Sequence, residues 1–142
     1  MHKVILTRGI QGSGKSTWAK KWVLEKPTSR VRINMDDIRC MLGKYWVPSR
    51  ENLVKEIYRS SVKAAIKMGY DIVIDNMNLS KSSSDYIKTI LPGSYTLEYK
   101  DFLDTPLSEC IRRDKARENP VGEEVIRSTF MKYKNQYPLN EN

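Results

Sequence analysis

Lys15 and Ser16 close the run Gly9-Ile10-Gln11-Gly12-Ser13-Gly14-Lys15-Ser16, a G-x-x-x-x-G-K-[ST] spacing. The chemistry this pattern supports is the cradling of a triphosphate. Glycines let the loop curl until successive backbone N–H groups point inward at phosphate oxygens, and a following helix N-terminus adds its partial positive charge. Lys15 is placed to reach the β- and γ-phosphates, and the Ser16 hydroxyl to ligate a bridging magnesium ion. Gly9, Gln11, Gly12, Ser13, Gly14, Lys15, Ser16 and Thr17 are therefore the expected nucleotide-binding residues, with ATP and Mg2+ as their ligands.

A second set of residues could serve an acceptor. Asp36, Asp37 and Arg39 lie just past an apolar run. Phosphoryl transfer needs a carboxylate to take the proton of the attacking hydroxyl, and cations to steady the transferred charge. One of the two aspartates suits the first role and Arg39 suits holding an anionic acceptor. Capping a helix is the ordinary alternative for either acid. Asp75 ends another apolar run, where an acid can help place a metal or its waters, and Asn76 and Asn78 follow it with amides that could bond phosphate or Arg39. Arg112, Arg113, Lys115 and Arg117 crowd one stretch ahead of Glu118-Asn119-Pro120-Val121-Gly122. Such a run before a break fits a lid whose arginine stabilises a transferring phosphoryl group.

The elements that must position these residues alternate. Lys3–Arg8, Val31–Asn34, Asp71–Asp75 and Tyr95–Leu103 read as strands, the last more polar and so at an edge. Helices are expected from the glycine-rich loop to about Glu25, from Met35 to Leu42, Arg50 to Lys67, Ser80 to Leu91, Thr105 onward (Thr as cap, Pro106 in the first turn), and Glu123 to Tyr137. The apolar spacing of Trp18 and Trp22 marks core packing. In the Arg50–Lys67 helix, Leu53, Val54, Ile57, Tyr58, Val62, Ala65 and Ile66 form the buried side, and Lys55, Arg59, Lys63 and Lys67 a solvated basic ridge. Gly43–Arg50 is a loop of aromatic and basic residues that either stacks on a base or tucks against the body. The alternation predicts a three-layer α/β fold: a central, mostly parallel four-stranded sheet, flanking helices and an arginine-bearing lid.

Composition narrows the rest. The 142 residues suit one domain spanning 1–142. Lys and Arg number 25 against 17 Asp and Glu, a net +8 that points to an anionic partner such as nucleic acid or simply to a soluble surface. Cys40 and Cys110 belong to no metal-like cluster, and the sole histidine, His2, precedes the first strand, which disfavours histidine-base chemistry. No apolar run approaches a membrane span, so a cytoplasmic setting without membrane contact is expected.

Read together, Thr7–Ala19, Asn34-Met35-Asp36-Asp37-Ile38-Arg39, Asp75-Asn76-Met77-Asn78-Leu79 and the Arg113/Arg117 segment resemble, in order, the phage-type 5′-polynucleotide kinases. The D-D-x-R after the second strand is the most specific part of that likeness. The resemblance implies a P-loop kinase fold and ATP-dependent phosphorylation of the 5′-hydroxyl end of DNA or RNA, in the host cytoplasm for a phage-encoded chain. It implies Asp36 as general base and Asp37 as structural, Arg39 on the phosphate 3′ to the acceptor, Arg117 on the ATP phosphates with Arg113 as helper, and Asp75 and Asn78 on the substrate side. Asp75 or Asn76 aligns with the family's acid, and Gln11 replaces a proline common in the loop. The 3′-phosphatase domain that the phage enzyme carries has no counterpart in these 142 residues. A kinase for a small-molecule or nucleotide acceptor is the nearest alternative, and a non-catalytic ATP-gated binding module is one of another class.

Overall fold

Runs rich in β-branched and apolar residues pair into one sheet. They are β1 (His2–Arg8), β2 (Arg30–Ile33), β3 (Asp71–Ile74) and β4 (Tyr95–Asp101), in the order β2-β3-β1-β4. All three ladders are parallel, with Val4 opposite both Ile72 and Leu97 and with Val31 opposite Ile72. The computed structural model describes residues 1–142.

Parallel pairing requires crossover connections, and helices supply them. These are α1 (Lys15–Glu25), α2 (Met35–Met41), α3 (Glu51–Lys67), α4 (Lys81–Ile90), α5 (Leu107–Lys115) and α6 (Glu123–Tyr133). The period of two along each strand decides which helix covers which face. Val4, Leu6, Ile72 and Ile74 pack with Val62 and Ala65 of α3 and Ile87 of α4. Their neighbours Ile5 and Val73 point the other way, onto Ala19 and Trp22 of α1. A third cluster joins Ile10 and Leu79 to α5 and α6 through Leu107, Cys110, Ile111, Ile126, Phe130 and Tyr133. The result is the expected α/β sandwich of helices about a parallel sheet, with polar β4 at an edge. No helix is long and apolar enough to cross a membrane.

Several local expectations are corrected. Thr105 does not cap α5, which starts at Leu107 after Pro106; its hydroxyl donates instead to the Ser13 carbonyl at 2.9 Å. Neither aspartate caps α2. The cap is Asn34, whose Oδ1 accepts the Asp37 N–H at 2.8 Å. α6 stops at Tyr133, and Leu53, expected on the buried side of α3, is 48% exposed.

Candidate active site

The carboxyl ends of β1, β2 and β3 deliver the glycine-rich loop, Asn34–Asp36 and Asp75 to one edge of the sheet, where parallel α/β folds bind ligands. Gly12 and Gly14 adopt φ of +79° and +108°, values that glycine reaches without strain. Gly12 also lies against α5 so closely that a Cβ there would meet the Cys110 carbonyl oxygen at 2.4 Å. Arg113 Nη1 donates to the Gly12 carbonyl at 3.3 Å. With the Thr105 bond, this seats α5 directly on the loop. Gln11 turns its side chain the other way, donating from Nε2 to Thr129 Oγ1 of α6 at 3.2 Å.

Lys15 is buried, and its ammonium folds back into the loop. Nζ donates to the carbonyls of Gly9 (2.9 Å) and Ile10 (2.7 Å) and to Ser13 Oγ (3.4 Å). Burial pushes its pKa down to about 8, against the pull of the Asp75 charge, which favours the ammonium. Ser16 and Thr17 are exposed on the first turn of α1.

Opposite the loop, Asp36 gathers three partners. Its Oδ1 accepts from Arg39 Nη1 at 2.6 Å and from the Tyr45 hydroxyl at 2.9 Å. Its Oδ2 has Arg117 Nη2 at 4.0 Å. Arg39 faces two acids at once, because Nε and Nη2 also donate to Glu51 at 3.0 and 2.7 Å. These bonds outweigh burial and raise the Arg39 pKa, while Arg39 in turn holds Glu51 below the usual carboxylate range. Burial, then the Asp36 charge, pushes the Tyr45 phenol up to about 12, so it stays a donor. Asp37 is exposed and pairs with Arg32.

Asp75 is 1% exposed. Arg32 donates to its Oδ2 from Nε at 2.7 Å and brings Nη2 to 2.7 Å from the same oxygen as an ion pair, whereas Oδ1 is buried with no partner. A buried carboxylate oxygen without a donor, together with the Ser16 hydroxyl, fits a magnesium ion that keeps most of its waters and phosphate oxygens. Asn76 is engaged locally, its Oδ1 accepting the Met35 N–H at 3.0 Å. Asn78, expected on the substrate side, is buried. At φ 51° it turns inward, and Nδ2 donates to the carbonyls of Thr7 (2.8 Å), Ile74 (3.0 Å) and Asn76 (3.1 Å). The Thr7 hydroxyl donates to two of the same carbonyls, Ile74 at 3.3 Å and Asn76 at 3.2 Å, so the two side chains together tie β1 to the turn after β3.

The segment after α5 is clasped rather than free. Asp114 is 1% exposed, and its two oxygens accept the N–H groups of Val121 and Gly122, each at 2.9 Å. Arg117 sits inside this turn with Nη1 3.8 Å from Asp114 Oδ1. The fold thus brings Lys15, Asp36, Arg39, Asp75, Arg113 and Arg117 around one crevice. Sequence reasoning missed Glu51, Arg32 and Asp114. Glu51 and Arg32 find their partners only through the fold, and those of Asp114 are backbone groups with no sequence signature.

An AAA domain family model matches residues 4–139. Adenylyl-sulfate kinase of Pseudomonas aeruginosa is 31% identical over 116 residues, which is 78% of this chain and 58% of that protein. A putative bifunctional polynucleotide kinase/RNA ligase of Autographa californica nuclear polyhedrosis virus is 26% identical over 149 residues, covering 92% of this chain and 21% of that protein. A chain of the Pnkp1/Rnl/Hen1 RNA repair complex superposes with a TM-score of 0.75 and 26% identity over 96% of this chain and 46% of its own length. This chain therefore spans little more than half of one curated relative and about a fifth of the other.

Proposed function

We propose a function from one premise: the chain belongs to the AAA domain family and is a P-loop kinase. Its donor is ATP, its acceptor the 5′-hydroxyl of a polynucleotide, and residues 1–142 form the kinase unit. The observation that carries this reading is the meeting of Asp36 with Arg39 and Arg117, at 2.6 and 4.0 Å, across from Lys15. The polynucleotide kinase among its relatives supports it.

Each residue has a definite task in that reaction. Asp36 Oδ1 already holds Arg39 and Tyr45, which leaves Oδ2 to take the proton of the acceptor hydroxyl. The acceptor oxygen bonds to the γ-phosphorus, the bond from that phosphorus to the β-bridging oxygen breaks, and ADP leaves. Three of Arg39's five N–H donors are engaged, so two remain for the phosphate 3′ to the acceptor sugar. Lys15 must exchange the Gly9 and Ile10 carbonyls for phosphate oxygens, and Arg117 neutralises charge on the transferring group. Ser16 and Asp75 would hold Mg2+, which would supply further neutralisation of the triphosphate.

Label transfer from γ-labelled ATP to a short 5′-hydroxyl oligonucleotide tests this directly. A 5′-phosphorylated oligonucleotide and Asp36→Asn are the controls. Label on the hydroxyl end alone, lost in Asp36→Asn, is the expected result. No label despite ATP binding would overturn the polynucleotide acceptor. A small nucleotide acceptor is the second reading, favoured by the identity with adenylyl-sulfate kinase.

A further inference from the structure

We propose that Trp46 is a stacking platform for the nucleobase of the 5′-terminal nucleoside of the acceptor, an inference that rests on the polynucleotide reading above. Trp46 is 53% exposed, while Trp22 is buried at 9% and stacks on Trp18, also partly covered. Exposure of one indole is ordinary by itself; what sets Trp46 apart is its fixed place beside the candidate active site.

The loop that carries it is built, not slack. Gly43 turns the chain at φ +118°. Arg50 then pins the turn, donating from Nη1 to the Leu42 carbonyl at 2.7 Å and from Nη2 to the Lys44 carbonyl. The Arg50 N–H bonds the Val47 carbonyl at 2.9 Å, closing the far side. The residue before Trp46 is tied to the reacting centre, because the Tyr45 hydroxyl donates to Asp36. The Arg39 guanidinium lies over the Trp46 ring, 5.7 Å from its centroid.

Those contacts locate the ligand by its chemistry. The attacking hydroxyl must approach Asp36, and the phosphate on the other side of the same sugar must approach Arg39. The base on that sugar then has Trp46 beside it, with Arg39 adding a cation next to the indole. Aromatic stacking accepts every base, so the platform would bind the end of a strand without reading its sequence. A neutral metabolite lacking a ring would gain nothing from it.

The test uses trithymidylates with a 5′-hydroxyl, either intact, abasic at the first position, or abasic at the second. kcat/KM is measured for the wild type, Trp46→Ala and Trp46→Phe, with thermal stability and ATP affinity as controls on folding. The wild type should prefer the intact acceptor over the first-position abasic one by about tenfold or more, the range that base–aromatic stacking supplies. Trp46→Ala should lose that preference and Trp46→Phe keep part of it. Equal use of both acceptors by the wild type, a preference that survives in Trp46→Ala, or one that follows the second position would overturn the assignment. Quenching of indole emission by the intact trinucleotide, absent in Trp46→Phe, reads stacking without turnover. If no acceptor is phosphorylated the polynucleotide reading fails by itself, and absence of this quenching then sinks the platform as well.

Discussion

Lys15 holds a cation where a cation is costly, bonded to its own loop's carbonyls and pushed down to about 8 by burial. Its folded value lies below the ordinary 10.5. Between those values the unfolded chain binds more protons than the folded one, so this group makes stability rise with pH across that window, and its penalty is complete below about 8. Urea unfolding from pH 7 to 10 should show the wild type gaining on Lys15→Met by up to about 3 kcal/mol. A flat difference would mean that the ammonium is not desolvated. Asp36→Asn removes a proton acceptor but keeps the shape of the side chain. Transfer should fall by about a hundred- to ten-thousand-fold, the range of general-base contributions, while ATP binding persists.

Two contacts between elements govern how α5 and its arginines meet the loop. At Gly12 an added Cβ would strike the Cys110 carbonyl at 2.4 Å, and the residue's φ of +79° already disfavours a side chain. Backbone on both sides cannot give way, so α5 must move and carry Arg113 off the Gly12 carbonyl. Gly12→Ala should cost about 2–3 kcal/mol in thermal or urea unfolding and weaken ATP binding. Asp114 closes the turn that carries Arg117 by accepting two N–H groups. Asp114→Ala leaves both without their acceptor, with an expected loss of about 2–3 kcal/mol. Limited proteolysis should then cut between residues 116 and 122, and phosphoryl transfer should fall in parallel with Arg117→Ala. A variant that keeps full transfer would show that the clasp does not position Arg117.

For the whole molecule, a net charge of +8 bears on what it holds. A polynucleotide that engages about three phosphates should lose affinity with salt at a log–log slope of about −2, whereas a neutral acceptor should show almost none. Titrating oligonucleotide binding between low and physiological salt measures that slope. The glycine-rich loop, the strand–helix alternation and the D-D-x-R run were all readable in the chain, because each depends on neighbours a few residues apart: a turn, a period of two or a helical face. Asp36 and Arg39 are three residues apart on one helix, so their pairing is local too. Other features arise between residues that are remote in sequence. Glu51 takes half of Arg39, Asp75 meets Arg32 across two strands, Arg117 reaches Asp36 from the far side of the sheet, and Asn78 turns inward to serve carbonyls of β1 and β3. Local chemistry determined which side chains could act on a triphosphate and an acceptor. Only the packed sheet decided which of them face the crevice, since that depends on strand order, register and the backbone groups each polar side chain is left to satisfy.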